Sequence, residues 1–478
     1  MGFRTPVSAA VSAAVSSALL LTPAPAWSGA PPAGPTDTGV RAHIDALQRI
    51  ADRNGGNRAS GTSGYAASLD YVEQRLVKAG YEVERQPFGF LFTQTLTERL
   101  TLPGGKPAPV VLATYSPSTP AQGLTTRFAA LTGTDATRQG CAPGSYDGAQ
   151  VAGRIALVLN GGCTMDAKVR AGAAAGAAAV VVINDRPGEL YGWLKDPAAA
   201  RIPIAGVSPE TGAALTRAAQ QTAPGTLTLR SLTERRTTAN LIARSPGGDP
   251  DRQVISGAHL DSVPGTAGIN DNGAAVAVLL DTALRRAERP AAAKNQLVYA
   301  FWGAEEFDML GSRHYVDQLS ATDRKRVAAY LNLEMIGGPN SGLFVMDGKN
   351  ADPESGLVPP EGSAGIADRF ARAFAASGET PGTWKLDGRS DYAPFMKAGI
   401  PAGGLNGGSF ELKTAEQARR WGGTAGAPYD PCYHKVCDNA GSFNAAVARK
   451  HGDAFARTLE HFANTAVAGT GRTAGDRG

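Results

Sequence analysis

The sequence predicts an α/β protein: a mixed central β-sheet with helices on both faces, interrupted by an inserted β-rich module. Three observations carry that expectation. From Thr237 onward, short apolar runs that read as strands alternate with stretches of helical periodicity, the pattern of a sheet covered on both sides. Between about Pro107 and Arg235, Thr, Gly and Pro become common and short β-rich runs stand between turns, which marks a separate module. The 478 residues are 42% hydrophobic and 19% charged, enough apolar surface for two or three filled cores, which excludes a disordered chain.

Taken in order, the chain opens on a weakly basic Arg4, then an uncharged Ala/Ser/Val/Leu stretch from Val7 to Leu21 and a small-x-small site at Ala24-Pro25-Ala26, with Ala30 as a second cleavage point. This pattern predicts a secretory signal over residues 1–30 and an extracellular protein. The apolar run is shorter than the roughly 20 residues that a membrane helix needs, so no membrane partner is expected. A Pro/Gly-rich spacer follows, and then Val40, Ile44, Leu47 and Ile50 recur at helical spacing. A second helix has Tyr65, Leu69, Val72 and Leu76 on its face and Gly80 at its end, and Tyr81 to Phe92 alternates like a strand. Two helices and one strand cannot complete a domain, so residues 36–106 are expected to join a later one. In the insert, residues 107–235, Ile155–Leu159 and Val180–Ile183 read as strands, and Ala167–Ala179 as a small-residue helix whose Gly172 and Gly176 let it lie close to a sheet.

Over residues 236–465, strands at Val254–Ala258, Leu297–Trp302 and Ala329–Ile336 alternate with helices at Ala274–Arg285 and Gly311–Leu319. A last helix carries Phe443, Val447, Phe455, Leu459 and Phe462 on one side. The polar, Gly-rich tail, 466–478, is expected to be disordered. The net charge is only +4 over the whole chain with no long basic run, so no nucleic-acid partner is expected. In an exported chain the four cysteines are expected as two local disulfides, Cys141–Cys163 and Cys432–Cys437. Serine chemistry is disfavoured, because Gly61-Thr62-Ser63-Gly64 is one residue short of the nucleophile-turn pattern and opens a helix.

Polar residues then interrupt the chain just after each predicted strand, where open α/β sheets place their ligands. His259 offers an imidazole nitrogen, and Asp261, two positions on, can accept the other ring N–H and fix its tautomer. Asp271 is placed to begin the next helix and can supply both carboxylate oxygens. Glu305 and Glu306 follow an apolar strand, so that one can ligate a metal while the other stays free as a base. Glu334 is a single acid in an otherwise apolar strand end, where an unpaired carboxylate would be costly. His434 lies within the short loop between Cys432 and Cys437. Oxygen and imidazole donors together suit zinc. His43, His314, His451 and His461 lack such company and are read as structural or surface residues.

In this order, His259-x-Asp261, Asp271-Asn272-Gly273, Glu305-Glu306, Asn332-Leu333-Glu334-Met335-Ile336-Gly337, Gly388-Arg389-Ser390-Asp391-Tyr392 and Cys432-Tyr433-His434 resemble the M28 family of zinc aminopeptidases, above all its secreted bacterial leucine-type members. The resemblance covers Thr237 to about Phe462, and also Asn57 to Tyr81. It implies the zinc-exopeptidase fold and two Zn2+ per chain. His259 and Glu334 would hold one ion, Glu306 and His434 the other, and Asp271 would bridge them through a cis Asp271–Asn272 peptide. Glu305 would be the general base acting on a metal-bridging hydroxide, Tyr433 would stabilise the oxyanion, and Asp261 would support His259. Asp387 and Arg389 fall in a segment like the family's substrate-contacting loop. Glu334 stands where Asp is commoner in the family, and Thr383 where an acid is common.

Val151–Val158, Gly162-Cys163, Lys168 and Ala175–Val181 resemble a protease-associated (PA) domain, which in the family sits over the catalytic cleft. The function so implied is hydrolysis of N-terminal, hydrophobic residues from peptide or protein N-termini, and the protein is expected to act as a monomer. The alternatives are an M28-like glutaminyl cyclase with one zinc, a dipeptidase or carboxypeptidase, and a non-catalytic peptide-binding module. The last predicts a missing ligand or base, and none is missing.

Overall fold

In the computed structural model, which describes residues 1–2, 34–221, 223–288 and 293–465, Thr36 and Thr62 cap the first two helices, Asp37–Arg53 and Ser63–Lys78. Each threonine side chain accepts a first-turn backbone N–H, which replaces a partner the helix cannot supply itself. The signal segment with its cleavage points and the tail 466–478 lie outside the described residues, Met1 and Gly2 excepted. The strand read from Tyr81 to Phe92 runs much further, Glu82–Thr101, because it pairs antiparallel along its whole length with Gly225–Arg244. That cross-strand ladder carries the chain through Thr- and Arg-rich positions that alternation alone does not mark as strand.

The larger sheet has ten strands. Its central strands, Asn295–Trp302, Asp249–His259, Val327–Glu334 and Ala402–Asn406, are parallel neighbours, whereas Gly225–Arg244 and Phe344–Ala351 join antiparallel, so the sheet is mixed. On one face Ile44, Leu47, Leu69, Val72, Leu279, Phe370, Phe455 and Leu459 form a continuous core from helices Asp37–Arg53, Ser63–Lys78, Ala274–Ala287, Ser363–Ala375 and Ala445–Asn464. On the other, Trp302, Tyr315, Tyr330 and Phe395 pack beneath helices Leu310–Gln318 and Tyr392–Lys397, with the Tyr330 and Phe395 rings stacked at 3.9 Å. Helices therefore cover both faces. Phe443, expected on the last helix, precedes its Asn444 cap and packs partly buried against the same core. Among the described residues no helix is long and apolar enough to cross a membrane.

A second sheet of five strands takes the order Val111–Leu112, Ile204–Val207, Ala179–Ile183, Ile155–Leu159, Phe128–Ala130. Its small-residue helix spans Met165–Ala174 and stops short of the expected Ala179, because Gly176, at φ +81°, turns the chain out of the helix into the next strand. Gly172 packs as its composition suggests: a Cβ there would lie 2.6 Å from Val180 Cγ2. The buried Lys168 donates from Nζ to the carbonyls of Gln139 (2.6 Å), Leu159 (2.9 Å) and Gly161 (2.7 Å), which ties the helix to the Cys141–Cys163 segment. Both expected disulfides are formed.

Candidate metal centre

The parallel central strands end along one edge of the sheet, and three of the four ends deliver a donor. His259 is the last residue of its strand, Glu334 the last of the next, and Glu305 and Glu306 begin a single turn just beyond Trp302. Ala304, at φ +51°, makes the sharp corner that brings the two glutamates back toward His259, and Ser60 Oγ accepts its backbone N–H at 2.7 Å. Asp271 was expected to begin a helix; instead it lies in the turn Ile269–Gly273 ahead of Ala274–Ala287, with non-helical φ −107°. The peptide between Asp271 and Asn272 is cis. His434 sits at φ +58° inside the loop closed by Cys432–Cys437.

These side chains converge. His259 Nε2 lies 3.2 Å from Asp271 Oδ1, 3.4 Å from Glu334 Oε1 and 3.8 Å from Glu305 Oε2. His434 Nε2 lies 3.2 Å from both Asp271 Oδ2 and Glu306 Oε2. The two oxygens of Asp271 therefore face different histidines, each with its own glutamate. His434 Nε2 and Glu306 Oε1 are buried and have no hydrogen-bond partner. A buried imidazole nitrogen set between two carboxylate oxygens without a hydrogen bond, beside a buried unpartnered glutamate oxygen, fits donors aimed at a common cation.

The electrostatics agree. Burial would raise Asp271, but both imidazoles outweigh it and hold its carboxyl far below the usual range. Burial raises Glu306 to about 7, helped by Asp271, and pushes Glu305 well above the ordinary carboxylate value, helped by Asp391, Glu334 and Glu306. Burial opposes charge on His434, yet Glu306 and Asp271 win and raise it to about 10. Four acids around two imidazoles thus call for added positive charge, which divalent cations would supply.

Hydrogen bonds from the surrounding fold aim the donors. His259 Nδ1 lies 3.1 Å from the backbone carbonyl of Asp261, which takes the ring N–H and leaves Nε2 free. The carboxylate of Asp261, expected in that role, is 3.7 Å away and accepts the Glu305 backbone N–H at 3.2 Å instead, because the strand end turns its carbonyl toward the ring. Behind Glu334 runs a buried chain in which Trp302 donates to Tyr330, Tyr330 to Asn332, Asn332 to Ser390 and Ser390 to Glu334 Oε2, the last at 2.5 Å. These hydrogen bonds fix the position of the Glu334 carboxylate.

Residues 240–459 match the family model for peptidase family M28, and residues 126–215 match that for the PA domain. The chain is similar to a probable lipoprotein aminopeptidase, LpqL, of Mycobacterium tuberculosis, at 40% identity over 403 residues, covering 84% of this chain and 79% of the relative. The chain belongs to peptidase family M28. It is also similar to a probable leucine aminopeptidase 2 of Aspergillus fumigatus, at 36% identity over 414 residues and covering 86% of this chain and 80% of that one. The fold is shared with an aminopeptidase from Aneurinibacillus sp. strain AM-1, with TM-score 0.69 and 23% identity, covering 90% of this chain and 95% of the other.

Within this M28 peptidase a pocket opens beside the cluster, lined by Asp271, Glu305, Glu306 and Glu334 and further by Met335, Trp384, Asn406, Ser409 and Tyr433. Asp387 and Arg389 line it as well, Asp387 half-buried and Arg389 exposed at its edge. One oxygen of Asp387 is engaged within its own loop, accepting the Arg389 backbone N–H at 3.1 Å and the Tyr392 hydroxyl at 2.9 Å. Arg389 donates to the Tyr433 hydroxyl at 3.3 Å, and Tyr433 stacks on His434 with ring centroids 3.8 Å apart. Thr383 is an exposed residue of the strand Gly382–Leu386. His43, His314, His451 and His461 all pack elsewhere, each against an aromatic ring.

Sequence reasoning missed several residues that hold this M28 site together. Arg58 is fully buried and donates to the carbonyls of Leu260, Ala267 and Gly268, pinning the segment between His259 and Asp271. Asn270 Nδ2 donates to Asp430 at 2.6 Å, and Asn272 Nδ2 donates to the Leu333 carbonyl at 2.9 Å while its Oδ1 accepts Met335 N–H. Asp430 and Asp438 bracket the disulfide loop almost symmetrically in Asp430-Pro431-Cys432 and Cys437-Asp438, a signal that was present in the sequence.

Proposed function

We propose that this M28 peptidase is a secreted dizinc aminopeptidase that removes N-terminal, hydrophobic, leucine-type residues from peptides. The observation that carries the reading is Asp271, whose two oxygens each lie 3.2 Å from a different histidine, as a bridging ligand requires. His259 and Glu334 would hold one zinc, and His434 and Glu306 the other. When bound, the ions supply Lewis acidity to the scissile carbonyl and make a neighbouring water more acidic.

The chain's own groups do the rest. Of the acids within 4 Å of His259 Nε2, Glu305 is the most distant, at 3.8 Å, which favours it as the base left free. It takes a proton from the attacking water and passes it to the departing amine. Tyr433, in contact with Arg389, donates its hydroxyl to the developing oxyanion. The carboxylates at the inner end of the pocket attract the free α-amine, while Met335 and Trp384 offer apolar surface to the first side chain. Arg389 on the rim orients the peptide backbone, and Asp387 shapes that loop through its turn. Residues 36–106 and 236–465 form the catalytic domain, 107–235 the PA insertion, and the protein acts as a monomer.

The test is hydrolysis of leucine p-nitroanilide against its N-acetylated form by protein stripped with chelator and titrated with zinc. Cleavage of the free amine alone, with a plateau near two zinc per chain, is expected. Inertness toward both at full zinc occupancy would overturn the reading.

A further inference from the structure

The metal cluster opens to solvent on one flank. The His434 side chain is 25% exposed, against 1% for His259 and 11% for Glu334. A peptide that sets its first residue in the pocket toward Met335 and Trp384 can leave along this exposed flank at His434. What stands there is aromatic and exposed, Tyr191 at 47% and Phe410 at 43%, and Val436, two residues along the loop from His434, is 78% exposed. Tyr191 comes from the PA region and sets its ring edge-on to His434, centroids 6.4 Å apart and planes at 87°. Phe410 lies 5.8 Å from the Tyr433 ring, which itself stacks on His434.

Exposed apolar side chains mark binding where they form one contiguous patch on a fixed backbone, and Tyr191, His434, Tyr433 and Phe410 form such a row, each ring against the next. Tyr191 is fixed on both sides. Leu190 packs so closely on Gly206 that a Cβ on that glycine would lie 2.1 Å from its carbonyl oxygen. The Gly192 carbonyl accepts the Thr114 N–H at 2.8 Å, and Trp193 bridges to Thr114. The Tyr191 hydroxyl donates to Glu189 Oε2 at 3.1 Å, which places a carboxylate at the tip of the ring.

We propose that Tyr191, reaching from the PA region, forms the outer wall of the subsite for the residue after the scissile bond and selects an apolar, above all aromatic, side chain there. Resting on the aminopeptidase reading, it names the substrate class of that same site: peptides with an apolar residue first and an aromatic residue second. Phe410 and Val436 complete the apolar surface, and Glu189 disfavours an acidic second residue.

The experiment measures kcat/KM of the zinc-loaded full chain on Leu-Phe-Gly, Leu-Gly-Gly and Leu-Asp-Gly. The wild type is expected to prefer them in that order. In Tyr191→Ala the Leu-Phe-Gly to Leu-Gly-Gly ratio should fall about tenfold, the scale of a lost apolar contact in a substrate pocket. Tyr191→Phe should hold that ratio within about twofold, since it keeps the ring. A Tyr191→Ala ratio within about twofold of wild type overturns the proposal, as does a Tyr191→Phe ratio as low as that of alanine. If the wild type releases leucine from none of the three peptides, the aminopeptidase reading itself fails and the subsite falls with it, an outcome distinct from activity with an unaltered ratio.

Discussion

Asp438 Oδ2 accepts the backbone N–H of Asp271 at 3.1 Å, while its Oδ1 accepts that of Asn270 at 2.7 Å. The residue that ends the disulfide loop of His434 therefore grips the turn that carries Asp271. One carboxylate ties the proposed bridging ligand to the segment bearing its histidine. Asp438→Asn replaces an accepting oxygen by an NH2 group facing an N–H, so one grip is lost without a change of size. Zinc affinity should fall about 10- to 100-fold, the usual effect of removing a group that orients a metal ligand. Competition with a chromogenic chelator checks this, and unchanged affinity would show that the turn holds its shape unaided.

Glu305→Gln should leave zinc stoichiometry intact and lower kcat about 10²- to 10⁴-fold, the range assigned to a positioned general base. Metal analysis beside steady-state kinetics separates this from ligand loss. A variant that binds one zinc fewer would move Glu305 into the ligand set.

Much of this arrangement was legible because the chemistry sits where apolar strands end. His259, Glu305, Glu306 and Glu334 are polar interruptions at strand ends, and the parallel pairing of those strands brings them together. Less legible was everything fixed by backbone direction. Whether the Asp261 carbonyl or its carboxylate faces His259 depends on the turn after the strand, which composition does not encode. Arg58 lies about 200 residues in sequence from the carbonyls it binds, and no periodicity reports such a contact. The strand Glu82–Thr101 exceeded its alternating stretch because its partner, Gly225–Arg244, lies across the whole insert.

Zinc binding should release protons. His434 is raised to about 10 and Glu306 to about 7, so near pH 7.5 the metal-free cluster carries protons that ligation has to displace. Each displaced proton weakens binding about tenfold per unit of falling pH. Titration calorimetry in two buffers of different ionisation enthalpy should give heats that differ by at least about one proton per chain. Equal heats in both buffers would mean that the donors are already deprotonated.

His451 sets an acid limit on stability that is separate from the metal site. Its ring is fully buried, edge-on to Phe374 at 5.7 Å, with Nδ1 3.1 Å from the Val447 carbonyl. Burial lowers its pKa to about 4, against about 6.5 for an exposed imidazole. Between those values the unfolded chain binds a proton that the native protein refuses, so stability is full above about pH 6.5 and is lost as pH falls toward 4. The shift corresponds to about 3 kcal/mol across the window. His43, lowered to about 4 by burial and by Arg75, acts in the same direction, and both add to any loss of zinc in acid. Comparison of urea unfolding for the wild type and His451→Gln, both stripped of metal, isolates one residue. The variant should be less stable near pH 7, where its cavity and lost carbonyl contact dominate, and the gap should narrow as pH falls through the window. Parallel curves from pH 7 to 4 would mean that His451 takes up its proton alike in the folded and unfolded chains.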